Sequence, residues 1–513
     1  MFRNDATSLR TRSTTTTTSA AFESLESRQM LASAVTVTLE KTQWGPAIVV
    51  NGTGKNDKIT ITQGSKGVVV SDGKKSTRIN KSVKTILVNA SSGNDIIVVG
   101  KSVKLNVWVD GGNGDDVIVG GSGRDTLCGG KGCDWIAGGA NNDLLAGQDG
   151  CDSLFGNAGN DALIGGNGDD TLVAIGGGDQ DSLEGDAGFD SFWLDDSFGE
   201  QVYDVLDSAE SYAGAVHRVG GFEDFVDTNG NVQEIGTELN GGDLPDPELN
   251  WDDKGYYTAQ GFANASDLPL FGKNGPMMDD VQQGALGTCY FLSTLSGIAQ
   301  LDPQRIRQAV VALGDGTYAV RFCDGSGNER YVRVDGDLPA NAGADGNVNF
   351  AYARPGLDTN AIWVPIMEKA WCFVRDMANA TNPVINTSYH NVDSGYMDEV
   401  PTAMAADEIS VVFAGRNNFA NGYDMLEYIQ QELAAGKLVT FGTQSKAYGG
   451  FVESHAYTVL GVAQGKDGDW YLIVRNPWGT DGFQSTDGSD DGYVAIRAAD
   501  AFASMADVQS SWV

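Results

Sequence analysis

Residues 34–110 alternate β-branched and polar side chains in short runs: AVTVTLE, AIVVNG, KITITQG, VVVSDG, TILVNA, IIVVG and LNVWVD. A period of two, broken by Gly, Asn and Asp, predicts short strands with one buried face. From Gly111 a nine-residue rhythm takes over: GGNGDDVIV, GGSGRDTLC, GGKGCDWIA, GGANNDLLA, GQDGCDSLF, GNAGNDALI and GGNGDDTLV. The sixth position is always Asp (Asp116, Asp125, Asp134, Asp143, Asp152, Asp161, Asp170), and the eighth is always Ile or Leu. After a two-residue slip the pattern returns at Asp181 with Leu183 and at Asp190 with Phe192. Residues 51–60 and 90–98 look like degenerate forms of the same unit. Residues 194–270 lose the period, with residues 203–206 and Val226 expected as strand caps. Phe291, Leu292, Leu295 and Ile298 fall at helical spacing and predict a helix starting near Cys289. Two apolar strands, beginning at His455 and ending at Asn476, flank a Gly/Asp turn and predict a hairpin.

The nine-residue period has a definite physical reading. Six residues form a turn in which glycine supplies positive φ at little cost. The last three form a short strand whose eighth side chain points inward. Two units make one coil, so equivalent residues stack at strand spacing, ~4.8 Å. Each turn then aims an Asp carboxylate and backbone carbonyls at its neighbour, an oxygen cage suited to Ca²⁺. Without the ion the stacked carboxylates repel. The candidate metal ligands are therefore Asp116, Asp125, Asp134, Asp143, Asp152, Asp161, Asp170, Asp181 and Asp190. The segment closely resembles the RTX calcium-binding repeats, which implies an all-β parallel β-roll with Ca²⁺ as its cofactor.

Charge divides the chain in similar places. The sequence has 69 Asp and Glu against 34 Lys and Arg, a net charge of −35. Residues 1–110 carry +7, 111–193 carry −13, 194–270 carry −15 and 271–513 carry −14. So acidic a chain lacks the basic footprint that nucleic acid requires. No run of about 18 apolar residues occurs, so no membrane-spanning helix is expected.

Cys289, at the start of an apolar helix, would feel the positive end of the helix dipole, which lowers a thiol pKa. The predicted hairpin brings His455 and Asn476 together. A thiolate, an imidazole and a group that fixes the imidazole's tautomer are the parts of a cysteine protease. The other two histidines, His217 and His390, have no matching partner and are expected in loops. The blocks QGALGTC (283–289), HAY (455–457) and NPWG (476–479) resemble those of calpains, a family of papain-like cysteine proteases. VDGDLP (334–339) and WVPIMEKAW (363–371) match in kind, and the likeness runs from about Asp267 to about Phe502. It implies an α+β papain-like core of two subdomains and a calcium-dependent-type cysteine endopeptidase acting on protein substrates. Residue by residue, it implies Cys289 as nucleophile, His455 as general acid and base, and Asn476 as its orienting partner. Gln283 and the Cys289 N–H would receive the oxyanion, and Trp478 would shield the His–Asn bond. Thr288 stands where the family usually has an acidic residue, and Tyr290 where it usually has Trp. The segment after Gly479 is shorter than in animal calpains. No calcium ligand maps onto the protease core.

Residues 1–33 are rich in Thr and Ser and lack an apolar core, so no ordinary secretory signal is expected. Residues 22–33, FESLESRQMLAS, resemble the LEPR-XLL-type segment of large exported bacterial proteins, with Ser27 for Pro and Met30 for Leu. That resemblance implies export and a place outside the cell or at its surface. Cys133 and Cys151 share the fifth register position and should stack on neighbouring coils, as a disulfide or as two free thiols. Cys323 and Cys372 are expected in the core, and the lack of a Cys-x-x-Cys pair argues against zinc.

The expected organisation is an export segment (1–33), a β-rich start of the roll (34–110), the calcium-binding roll (111–193) and an acidic cap or linker (194–266). Two protease subdomains follow, 267–400 with Cys289 and 401–513 with His455 and Asn476. Two functions compete: an exported endopeptidase with a calcium-loaded roll, and a non-catalytic calcium-binding surface or adhesion protein with a relic protease domain. The intact set Gln283, Cys289, His455 and Asn476 favours the enzyme. Asn476 followed by Pro-Trp argues against a transglutaminase, which usually has Asp in that role.

Overall fold

Two stacks of apolar side chains organise the N-terminal half. One runs Val50, Val88, Val109, Leu127, Leu145, Leu163, Leu183, each in parallel register with the next. The other runs Ile59, Ile97, Ile118, Ile136, Leu154, Leu172, Phe192. All fourteen are fully buried and belong to one continuous core. The two stacks belong to two sheets, of nine and ten strands. The chain alternates between them and winds as a parallel roll, so the sixth-position turns fall on two edges.

The computed structural model describes residues 34–176, 180–196, 201–202, 215–226, 232–237, 239–249, 259–324, 326–343, 347–375, 388–404, 411–481 and 490–512. The expected export segment, the strand cap at 203–206 and residues 482–489 of the segment after Gly479 lie outside them. The chain forms two compact units, with the division near residues 211–219.

The strands of the roll are longer than the three residues the period predicts. Thr126–Lys131, Trp135–Ala140 and Leu144–Asp149 each have six, because pairing continues through the first three residues of the following unit. The roll also begins earlier than the clear repeats. Residues 85–89 and 96–99 already pair in parallel with strands of the first repeats. Their alternating β-branched residues fill the same core at a lower glycine content. An antiparallel hairpin, Gly67–Ser71 with Ser76–Ile79, extends one sheet. Cys133 and Cys151 stand on adjacent coils as free, exposed thiols.

Spacing differs between the two edges. On the first edge the step from one stack to the other is nine residues in all seven coils, from Val50 to Ile59 through Leu183 to Phe192. On the second edge the regular nine-residue step grows to twelve between Ile97 and Val109 and to eleven between Leu172 and Leu183. It reaches 29 between Ile59 and Val88, where the hairpin is inserted.

One of the two histidine expectations needs correction. His217 is not a loop residue: it lies in the strand Val216–Val219, fully buried, with its ring 4.3 Å from that of Trp193. The two rings pack at a tilt of 38° on the strand at the end of its sheet, so burial against an aromatic surface decides the position. His390 sits in a short 3₁₀ turn, Tyr389–Val392, with Ser388 accepting the His390 N–H.

The second unit combines helices with antiparallel sheets. Two are three-stranded: 310–335 form one, and Gly261–Asn264 joins Asp337–Ala342 and Val348–Phe350 in the other. A six-stranded sheet carries Leu438–Thr443, Ala456–Gln464, Trp470–Arg475 and Tyr493–Arg497 in that order. Val226 pairs with Val232 in a two-residue ladder of this unit rather than capping the roll. The helix Cys289–Leu301 packs on the six-stranded sheet, where Thr458 Oγ1 donates to Ser293 O at 2.6 Å. The helix is buried on all sides from Tyr290 to Ala299, and Gly297 lets Leu438 approach. Cys323 and Cys372 are buried, one in a strand and one in a helix.

Candidate active site

The helix begins at Cys289 itself, so the thiol sits at its N-terminus. Residues 283–288 form the turn before it. Gly284 has no room for a side chain, since a Cβ there would lie 2.0 Å from Tyr352 O. The strand Ala456–Gln464 starts one residue after His455, and Trp470–Arg475 ends one residue before Asn476. Their antiparallel pairing, Thr458 opposite Arg475, brings the two side chains together.

His455 Nε2 and Asn476 Oδ1 are 2.9 Å apart. Asn476 Oδ1 also accepts the Trp478 N–H at 3.1 Å, which fixes the oxygen on this side of the amide. An amide oxygen only accepts, so Nε2 carries the proton and Nδ1 is left as a base. The imidazole is wedged between Trp478 and Tyr457, each with its ring 5.0 Å away. Cys289 and His455 line one cavity of about 530 Å³, with Gln283, Asp393, Glu453 and Trp478 among its other walls. The Gln283 N–H donates to Pro477 O at 2.8 Å, tying the turn before the thiol to the loop after Asn476. Gln283 Nε2 donates one proton to Leu286 O at 2.6 Å, which leaves its second N–H available.

The helix-dipole expectation for Cys289 is overturned. Burial pushes its thiol up, and backbone hydrogen bonds from Ala456 and Tyr290 only partly oppose this. Burial likewise holds His455 down, at about 4, against the hydrogen bond it donates to Asn476. Both shifts favour a neutral thiol beside a neutral imidazole. For Cys289, the loss of water around the thiol outweighs the donors at the helix terminus.

In the roll, the Asp residues form two ladders. On the first edge, the N–H groups of Asp116, Asp134 and Asp152 each donate at 2.8 Å to Oδ1 of the next Asp, one coil on. On the second edge Asp125, Asp143 and Asp161 do the same at 2.7 Å, ending on Asp181. Oδ1 is thus satisfied, while Oδ2 of Asp116, Asp134, Asp143, Asp152 and Asp170 is buried with no hydrogen-bond partner. An orphaned carboxylate oxygen at this depth is costly unless a cation takes it. Burial pushes Asp116 up to about 6, Asp152 to about 7, Asp134 and Asp143 to about 8 and Asp170 to about 9. Unpartnered hard oxygen donors repeated in successive turns fit Ca²⁺. Asp125 differs, because its Oδ2 accepts the Gly121 N–H at 2.9 Å.

Comparison with known proteins fits both halves. The calpain family cysteine protease model matches residues 261–491. The chain carries a calpain-family cysteine protease domain. RTX calcium-binding nonapeptide repeats match at residues 108–136 and 137–172. RTX repeats bind calcium. The calpain-type cysteine protease DEK1 of Zea mays is 30% identical over 213 residues, covering 39% of this chain and 9% of that protein. Calpain-13 of Rattus norvegicus is 27% identical over 227 residues, 41% of this chain and 30% of its own length. A thiol protease of Porphyromonas gingivalis is 25% identical over 240 residues, 43% of this chain and 47% of its own. The chain thus spans less than half the length of these relatives.

The protease domain also holds buried charges that the sequence does not single out. Glu368 is buried: Thr288 Oγ1 donates to its Oε1 at 2.5 Å and the Ala353 N–H to its Oε2 at 2.8 Å. Burial pushes this acid up to about 7. It braces the residue just before Cys289. Lys369 is buried against Asp335 at 2.6 Å and against Asp246, and it donates to Asp337 O at 2.8 Å. Among the described residues, the carboxylates of Asp243, Asp335 and Asp337 converge within 4.8 Å, and this ammonium already serves two of those residues. Arg475 Nη2 donates to Val281 O at 3.0 Å, fastening the strand before Asn476 to the segment before Gln283. A Glu-Lys pair inside the apolar run WVPIMEKAWCFV was the available signal for the first two. For Arg475, whose acceptor is 194 residues away, there was none.

Proposed function

We propose that the chain is a cysteine endopeptidase that cleaves protein substrates through a Cys289 acyl-enzyme. The observation that carries this is the shared Asn476 oxygen, which holds His455 with Nδ1 free as a base, in one cavity with Cys289. His455 takes the thiol proton as sulfur attacks the peptide carbonyl, then gives it to the leaving amine. The tetrahedral oxyanion is received by the free Gln283 Nε2–H and the Cys289 N–H. Water, deprotonated by His455, then hydrolyses the thioester and restores the thiol. Because the proton moves as sulfur attacks, no isolated thiolate forms in the buried site: the negative charge develops on the oxyanion, where the Gln283 and Cys289 N–H groups receive it.

The calcium ions belong, in this reading, to the roll, with Asp116, Asp134, Asp143, Asp152, Asp161, Asp170, Asp181 and Asp190 as ligands and Asp125 at the start of its ladder. Bound calcium supplies the positive charge that the stacked carboxylates lack. The roll would fold on meeting millimolar calcium outside the cell, consistent with export and with a place in the medium or at a cell surface. The six-part division given above is part of the same proposal.

An irreversible thiol-protease inhibitor tests the enzyme. It should label the full chain once, on the peptide containing Cys289. Cys289→Ala should abolish labelling and lower kcat/KM for a protein substrate on the order of 10³-fold or more. Labelling that persists in Cys289→Ala would refute the assignment.

A further inference from the structure

The first edge of the roll has a conformational signature that the sequence motif does not capture. In each six-residue turn there, from 111–116 to 185–190, the second and fourth residues have positive φ. Examples are Gly112 and Gly114 (104° and 129°), Gln148 and Gly150 (85° and 156°), and Asp186 and Gly188 (71° and 150°). The second position therefore keeps its backbone shape when glycine is replaced.

Residues 90–95 read ASSGND, without either leading glycine, and lie outside the matched repeats. Yet Ser91 and Gly93 have φ of 85° and 118°. A serine held there is strained by roughly 1 kcal/mol, so the surrounding coil imposes the turn. The Gly93 N–H donates to Asn113 O at 2.7 Å, as the Gly114 N–H does to Lys131 O one coil on. Asp95 takes the sixth position: its N–H donates to Asp116 Oδ1 at 2.7 Å, and its Oδ1 accepts the Asp57 N–H at 2.6 Å. Asp95 is 1% exposed, and its Oδ2 has no hydrogen-bond partner. The next turn outward breaks the pattern. There Asp57 Oδ2 accepts the Thr53 N–H of its own turn at 2.6 Å.

We propose that Asp95 is a calcium ligand, holding an ion between turns 90–95 and 111–116 and extending the calcium row one coil beyond the recognisable repeats. The buried Oδ2 of Asp95 supplies the anionic oxygen, and turn 111–116 brings Asp116, whose Oδ2 is likewise unpartnered. Asp57, satisfied within its own turn, ends the row. This inference concerns the roll and does not depend on the endopeptidase reading.

Calcium bound per chain, measured by equilibrium dialysis on the full chain, tests it. Asp95→Asn keeps Oδ1 for the Asp57 N–H and should bind one ion fewer than the wild type. An unchanged count at wild-type affinity overturns the proposal. Hydrogen exchange on the wild type gives a second reading that needs no variant. The amides of 90–96 should gain protection with calcium alongside those of 111–172. Protection of 90–96 that is indifferent to calcium, while 111–172 responds, also overturns it. A chain in which no turn responds to calcium sinks the proposal together with the calcium role of the repeats.

Discussion

In the roll, Asp116, Asp134 and Asp152 are buried with one carboxylate oxygen on a backbone N–H and the other on nothing. In the protease domain, Asp335 and Asp315 are also withdrawn from water, but Lys369 and Arg333 lie against them at 2.6 and 2.8 Å. Both regions bury acid groups among apolar neighbours. The protease domain carries its own counter-charges, and the roll leaves its own to the solvent. Buried acids therefore mean different things in the two regions: a demand for ions in one, and partners supplied from within the domain for Asp335 and Asp315 in the other.

Removing calcium puts the greatest strain on that contrast. In chelator, far-UV circular dichroism should lose most of the roll's β signal, while the near-UV signature of the packed protease aromatics persists. If both signals vanish together, the domains do not differ in the way described. A substitution that makes the protease domain resemble the roll comes next. Lys369→Met leaves Asp335 and Asp246 buried without their cation and should cost about 3–5 kcal/mol. Urea unfolding should show the loss equally in calcium and in chelator, and rescue by calcium would contradict the assignment.

The smallest effect concerns Glu368, the buried acid that has hydrogen bonds but no cation. Its folded pKa, about 7, lies above its ordinary value of 4.5. The folded chain thus keeps a proton that the unfolded chain releases between those pH values. Stability from this group is present below pH 4.5 and is lost as pH rises toward 7. Glu368→Gln cannot titrate, and it carries a fixed cost for the weakened bond from Ala353. Its deficit against the wild type should therefore shrink by about 1–3 kcal/mol from pH 5 to pH 8. A deficit independent of pH would mean that Glu368 is ionised throughout.

The sequence made the roll legible where geometry repeats within a few residues: Ile118, Leu127 and Ile136 mark the core, and their periodic Asp neighbours mark the edges. It concealed Asp95, because Ala90 and Ser91 stand where the motif has glycine and twelve residues, not nine, separate Ile97 from Val109. The proposed triad of Cys289, His455 and Asn476 was readable because each member sits in a short block of its own. The residues that brace it were not. Glu368 meets Thr288 across 80 residues and Arg475 meets Val281 across 194, distances over which no local pattern reports a contact. The direction of the Cys289 shift was misjudged for a related reason, since a helix terminus is visible in sequence and the desolvation of the thiol in the folded chain is not.

The unequal edges of the roll have a practical side. The coil has absorbed three extra residues before Val109, two before Leu183 and a whole hairpin before Val88, always on the second edge. The Asp ladder bonds across those joints remain 2.6–2.9 Å long. Winding here is indifferent to how much chain passes along that side. The second edge is thus a ready-made display rail: a foreign peptide spliced in near Lys101 would be carried outward while the opposite edge keeps its step.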